Sequence, residues 1–227
     1  MGHIEVALRV DYGQVSPAIR EHLHELRIVH DPDHPDRQIP PFDAAGRDIL
    51  DIGCGIGQTL TAPEFAGARS HHGVDVNAEA VDYGMERFPH LSLRHALAEA
   101  LPYDDETFDL VYSRVAIPYT DIPRALAEAR RVLRPGGQLW ISLHGWRMEL
   151  TSIREARTIK KWLFRFYVWA NSLWFHIAGR TFKHPVHKRT TCLQTRGGIT
   201  RALKRAGFDG VELDEQGPHF SARASRP

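Results

Sequence analysis

Along this chain the apolar positions switch repeatedly between two periods. Short runs at 48–53 ("DILDIG"), 72–77 ("HGVDVN"), 91–97 ("LSLRHAL"), 108–114 ("FDLVYSR") and 138–144 ("QLWISLH") predict five strands. Longer stretches carry a 3.6-residue period between them. "SPAIREHLHELRIV" (16–29) predicts a helix with Ser16 as N-cap and Pro17 at its first position. "AEAVDYGMERF" predicts a second helix, and "DIPRALAEARRVL" (121–133) a third, with Ile122, Ala125, Leu126, Ala129, Val132 and Leu133 on one face. "RPGG" is the expected stop for that helix. Near the C-terminus "RGGITRALKRAGF" reads as a helix, followed by strands "GVELDE" and "FSARASR" joined by the turn "QGPH".

Strands separated by helices imply a parallel sheet with right-handed crossovers, and the last hairpin predicts one antiparallel strand at its edge. The expected fold is therefore α/β: a Rossmann-like, doubly wound, mostly parallel seven-stranded sheet. It forms a single domain over 1–227, with an N-terminal helix and connector at 1–45 and a helical insertion after the fifth strand. Ligands of such sheets bind outside the carboxyl ends of the strands. That rule singles out Gly53, Asp75, Ser113 with Arg114, and His144.

Composition adds little. Hydrophobic content of 42% and charged content of 25% are ordinary globular values. Two cysteines, Cys54 and Cys192, make no disulfide framework and suit a reducing cytosol. "MGHIEVALRVDYG" has no apolar core of the kind a secretory signal needs, and no serine or threonine where myristoylation would require one. "HDPDHPDRQIPP" (30–41) could be taken for a His/Asp metal cluster, but its prolines favour a polar connector, and no metal site is expected.

The first strand runs into "DILDIGCGIGQTL", with glycines at 53, 55 and 57. Such a turn lets a ligand lie against bare backbone at a helix start. Asp75 follows 18 residues after Gly57, where a carboxylate can accept from both hydroxyls of a ribose. The spacing is not that of the usual dinucleotide fingerprint. The alternative is a tight strand-to-helix connection, with Asp75 capping the next helix.

Four stretches in order, "ILDIGCGIG", "GVDVN", "ALAEALPYDDETFDLVYSR" and "RALAEARRVLRPGGQLWIS", resemble the class I S-adenosylmethionine-dependent methyltransferases, type 11-like. The likeness spans about residues 45 to 145 and resumes at "ITRALKRAGFDGVEL". It implies S-adenosylmethionine as cofactor. It also implies that Asp51, Gly53, Cys54 and Gly55 surround the methionine part, with Gly57 in the same cofactor-binding turn, Asp75 the ribose, and Val76 one face of the adenine. Ala98 would offer its backbone to the adenine edge, and Ser113 with Arg114 would line the methyl side. Leu97 stands where the family commonly has an aspartate for the adenine amino group, which leaves selectivity to backbone or to Glu99. Pro63 predicts a short or kinked first crossover helix.

Methyl transfer from a sulfonium is an in-line displacement in which the protein aligns the reactants and excludes water. An oxygen or carbon nucleophile also calls for a base. His144 is the candidate, because imidazole titrates near neutral pH; the alternative is a histidine that only bonds a loop. Tyr119, in "AIPYTD", would sit near the methyl, or would simply pack.

Residues 151–191 exceed the minimal fold and are expected to choose the substrate as a helical cap. In "IKKWLFRFYVWANSLWFHIAG", together with the residues just before it, Arg154, Thr158, Lys161, Arg165, Ser172 and His176 share one narrow stripe. Apolar residues cover the rest of the circumference. Such a helix must pack under something, line a greasy pocket, pair with a second subunit, or enter a membrane surface; it is too interrupted for a transmembrane span. The segment holds nine Lys or Arg against one acid, a net +8, and leaves −7 on the rest of a chain whose total is +1.

The reading is a cytoplasmic methyltransferase acting on a small, hydrophobic or anionic acceptor. Peripheral membrane contact through 151–191 and a homodimer both remain open. The rivals are an RNA methyltransferase, disfavoured because no nucleic-acid-binding module is visible, and a non-catalytic cofactor-binding protein.

Overall fold

The computed structural model describes residues 15–144, 158–182, 191–216 and 219–227. Its strands are β1 (Asp48–Ile52), β2 (Ser70–Asp75), β3 (Ser92–His95), β4 (Phe108–Arg114), β5 (Leu133–His144), β6 (Asp209–Gln216) and β7 (His219–Ser225). The helices are α1 (Pro17–His30), α2 (Ala78–Arg87), α3 (Ile122–Val132), α4 (Ile159–Ala178) and α5 (Arg196–Arg205). One seven-stranded sheet runs in the order β3-β2-β1-β4-β5-β7-β6. The first five strands are mutually parallel, and β7 is antiparallel to both of its neighbours.

Both faces of the sheet are covered, so side chains of alternate parity enter two separate cores. Leu50, Ile52 and Val111 join Leu126, Phe175, Ile199 and Leu203 on one side. Ile49, Leu110 and Tyr112 join Leu23, Leu26, Phe65 and Val81 on the other. This is the period of two that a strand imposes, and it explains why these strands read as near-continuous apolar runs. α3 buries Ile122, Ala125, Leu126, Ala129 and Val132, the face its periodicity predicts. α1 starts as expected, with the Ser16 hydroxyl accepting from the Ile19 amide at 3.3 Å.

Three local expectations change. The first crossover is not an α-helix but two single 3₁₀ turns, Thr59–Thr61 and Pro63–Phe65. Pro63 has no amide hydrogen to continue a helix, and Ala62 before it is extended at ψ 141°. "RPGG" does not separate α3 from its strand: the chain becomes extended at Leu133, which already pairs with Phe108. The antiparallel C-terminal strand is present, but it lies one place in from the edge. β6 is placed at the margin, and the hairpin returns β7 into the gap beside β5.

The described part of the insertion is a single helix, α4. Thr158 caps it by accepting from the Lys161 amide at 3.3 Å, and Gly179 ends it in the left-handed region at φ 59°. Its inner face is unexpectedly polar. Asn171, fully buried, donates to the carbonyls of Phe182 and Thr191 and accepts from the Phe182 amide. Ser172, part of the narrow polar stripe read from the sequence, is buried and accepts from the Leu193 amide at 2.8 Å. These bonds hold the strandless segments that follow the helix in the chain, whose backbone groups would otherwise be unsatisfied. The remainder of 151–191 lies outside the described residues.

Candidate functional site

The chain runs β1 to β2 to β3 toward one side of the sheet and then returns through β4 to the other. This reversal opens a crevice at the carboxyl ends of β1 and β4, where ligands of open α/β sheets bind. A cavity of about 270 Å³ occupies it. Ile52 and Gly53 come from the end of β1, and Val74, Asp75 and Val76 from the end of β2. The 96–99 loop after β3 and Ala116, Tyr119 and Thr120 after β4 complete the wall.

Asp75 is the anchored acid of this wall. One carboxylate oxygen accepts from the Gly55 amide at 2.8 Å and the other from the Asn77 amide at 2.8 Å. It thus ties the glycine turn to the start of α2, whose N-cap is Asn77 rather than Asp75. Val76 is 65% exposed and Leu97 is 54% exposed, unusual for apolar residues, and both line the cavity. They set two aliphatic surfaces beside the acid.

The glycine turn serves two purposes. At Gly53, φ is 81°, and a Cβ would lie 2.1 Å from that of Ala116. The bare backbone therefore lets the β4 loop close onto β1 while Gly53 still lines the cavity. At Gly55 a Cβ would meet the His22 ring at 2.5 Å, so what approaches closely there is α1. Gly57 faces Leu91 in the core. Cys54 points away from the cavity. Its Sγ fills the space beside Gly73, its amide is bonded to Val74, and burial pushes its thiol well above the usual range.

Behind the turn, Asp51 is fully buried, and its Oδ1 has no hydrogen-bond partner among the described residues. Burial pushes its pKa up to about 8; nearby Asp75 adds to the rise, while Arg114 and the Tyr112 hydroxyl draw it back. The folded chain holds this proton up to about pH 8, whereas an unfolded aspartate releases it near pH 4. The folded state therefore binds more protons between those values, and the contribution of Asp51 to stability falls as pH rises through that window. Asp51→Asn is expected to flatten the fall, so the difference in melting temperature between variant and wild type should grow from pH 5 to pH 9. A constant difference would assign Asp51 an ordinary pKa.

Ser113 is fully buried with its hydroxyl unpartnered among the described residues, and Arg114 is ion-paired with Glu25 of α1. Neither lines the cavity; Arg114 instead fastens the N-terminal helix to the end of β4. Val115, next in the chain, sits at φ 61°, a costly conformation for a β-branched residue. Its amide bonds to the Ser142 carbonyl, and the strained turn delivers Ala116 and Tyr119 to the cavity. Burial and the Glu21 carboxylate raise the Tyr119 pKa, so its hydroxyl stays protonated at neutral pH. Glu99 lines the cavity but accepts from the Asp121 amide at 2.7 Å, which holds the start of α3. The adjacent Ala98 also lines the cavity. His144 ends β5 opposite His219, two residues beyond the Arg114–Ser142 register pair; its side chain lies outside the described residues.

Of the residues expected at the site, Gly53, Asp75, Val76, Ala98, Glu99 and Tyr119 meet around one cavity, while Asp51, Cys54, Gly55, Gly57, Ser113 and Arg114 stand behind it. Sequence reasoning missed Ala116 and Thr120, and it missed Glu25 and His22 of α1, which no local motif connects to residues so distant in the chain.

A switch-point crevice, a glycine turn out of β1 and an acid closing β2 define the fold of class I S-adenosylmethionine-dependent methyltransferases. Residues 50–141 match the family described as "Methyltransferase domain". It is similar to the malonyl-[acyl-carrier protein] O-methyltransferase of Pectobacterium atrosepticum, at 36% identity over 94 residues, 41% of this chain and 37% of that protein. It is also similar to the phthiotriol/phenolphthiotriol dimycocerosates methyltransferase of Mycobacterium leprae, at 38% identity over 107 residues, 45% of this chain and 40% of that one. The matched region thus spans about two fifths of the length of these curated relatives. The crystal structure of an S-adenosylmethionine dependent methyltransferase from Mesorhizobium loti shares the fold, with a TM-score of 0.57 and 18% identity, covering 90% of this chain and 97% of that one.

Proposed function

We propose that this chain transfers a methyl group from S-adenosylmethionine to a small, hydrophobic or anionic acceptor. The observation that carries the reading is the cavity itself: an acid held by two backbone amides, set beside two exposed aliphatic walls, at the switch point of the sheet. A nucleoside fits that combination, its hydroxyls donating to Asp75 and its base lying against Val76 and Leu97. The bound cofactor supplies a methyl group activated by sulfonium. The protein's part is to hold it against the Gly53 turn, to donate from Tyr119, and to take a proton at His144 where the acceptor is an alcohol or an acidic carbon. Leu97 replaces a polar adenine contact, so selectivity for adenine rests on the backbone of the 96–99 loop, including Ala98. The names of the relatives, one acting on a carrier-bound malonyl group and one on a mycocerosate lipid, favour an acyl or lipid-like acceptor.

Titration calorimetry with S-adenosylmethionine and its demethylated product, followed by transfer of labelled methyl to acyl and lipid acceptors, tests the reading. Binding of both cofactor forms with label incorporated is the expected result. Binding without transfer to any acceptor class would favour a non-catalytic role, and no binding would remove the cofactor site.

A further inference from the structure

Three elements meet at the end of β4, and one of them is distant in the chain. Arg114, the last residue of β4, is ion-paired with Glu25 of α1. Its backbone pairs with Ser142 of β5, whose carbonyl accepts from the Val115 amide at 3.1 Å. Beyond that bond the chain turns away from the sheet with Val115 at φ 61°. A β-branched residue takes that conformation only when its surroundings impose it. The turn then places Ala116 and Tyr119 on the cavity wall, the Cβ of Ala116 in the space that Gly53 leaves open.

α1 is the fixed side of this contact. Its Ile19, Leu23, Leu26 and Val29 are buried in the core, and burial of four such side chains outweighs one partly exposed ion pair. Glu25 shares a face with His22, three residues earlier, and the His22 ring lies where Gly55 leaves room for it. One face of a seated helix therefore touches both turns that shape the site, the glycine turn after β1 and the strained turn after β4.

We propose that Glu25 is a positioning residue for the cofactor site: through Arg114 it holds the strained turn at Val115 and so keeps Ala116 and Tyr119 on the cavity wall. The Glu25 carboxylate draws the Arg114 side chain toward α1, which cannot follow if the turn shifts. Without that carboxylate the guanidinium is drawn instead toward Asp51, the buried acid with which it also interacts. The end of β4 is then free to rotate until Val115 reaches a negative φ, which carries Ala116 off Gly53. Only the consequence for S-adenosylmethionine rests on the proposed function; the hold on the turn stands on the geometry of α1, β4 and β5.

Hydrogen exchange of the full chain without cofactor tests the hold directly. The Val115, Tyr119 and Thr120 amides are bonded to the carbonyls of Ser142, Ala116 and Ile117. Glu25→Ala is expected to speed exchange across 114–120 by roughly tenfold while leaving α1 protected. Glu25→Gln keeps a neutral acceptor for Arg114 and should fall between that variant and the wild type. Adding Val115→Gly to Glu25→Ala is expected to restore protection, because glycine takes a positive φ without strain and needs no brace. Calorimetry with S-adenosylhomocysteine should follow the same order, about tenfold weaker in Glu25→Ala and recovered in the double variant. A pair that only fastened α1 would instead speed exchange in α1, and lower the melting temperature equally with valine or glycine at position 115. That result overturns the proposal, as does unchanged exchange across 114–120 in Glu25→Ala. A wild type that binds no S-adenosylhomocysteine would remove the cofactor reading, while the exchange results still decide whether Glu25 holds the turn.

Discussion

Asp75→Ala is expected to weaken S-adenosylmethionine binding by roughly 10- to 150-fold, the equivalent of about 1.5 to 3 kcal/mol for a charged hydrogen bond to a ribose hydroxyl. The geometry makes the effect larger than that of an isolated contact. The same carboxylate accepts from the Gly55 and Asn77 amides, so its loss also releases the glycine turn from α2. Asp75→Asn removes the charge toward the ligand while keeping one of the two acceptor oxygens that hold the turn, so its loss is expected to be smaller than that of Asp75→Ala. Titration calorimetry at matched pH measures both variants, with thermal melting to show that each is folded. Affinity equal to that of the wild type in Asp75→Ala would place the ribose elsewhere.

His144→Ala is expected to lower turnover on an oxygen or carbon acceptor by about 10² to 10⁴ with cofactor affinity intact, the range for removal of a general base. The position follows from the sheet. β5 carries His144 two residues past the Ser142 that pairs with Arg114, at the same end of the sheet as the cavity. The pH profile of turnover distinguishes a base from a positioning group: the wild type should rise with pH through the histidine range, and the variant should lose that limb. Because burial and Glu21 raise its pKa, Tyr119 does not replace the base at neutral pH. A thiolate acceptor needs no base, and with it the loss should be small. Wild-type rates on an alcohol would remove His144 from the chemistry.

The elements were legible in the chain because their causes are local. Ser16 and Pro17 mark the start of α1, the apolar face of α3 is the one its spacing predicts, the glycine turn follows a strand buried on both sides, and Asp75 closes the next strand. Six of the expected site residues line the cavity for the same reason: strand ends in a parallel sheet share one edge. The other residues fared differently because a motif names positions without saying which way each side chain faces. Cys54 turned toward Gly73 and Arg114 was taken by Glu25; even Glu99, which does line the cavity, is bonded to the start of α3.

The succession of strands and helices, the turn at Gly53 and the acid at the end of β2 are written locally in the chain, since periodicity, capping and the conformational freedom of glycine act within a few residues. That β7 lies inside the edge, that α1 closes over the glycine turn, and that α4 buries its amide and hydroxyl side while exposing its tryptophans follow from long-range packing alone. Each of these depends on which of several compatible surfaces meet. A buried Asn171 gains three hydrogen bonds from segments that no local pattern brings to it, and that long-range satisfaction sets which way the helix faces.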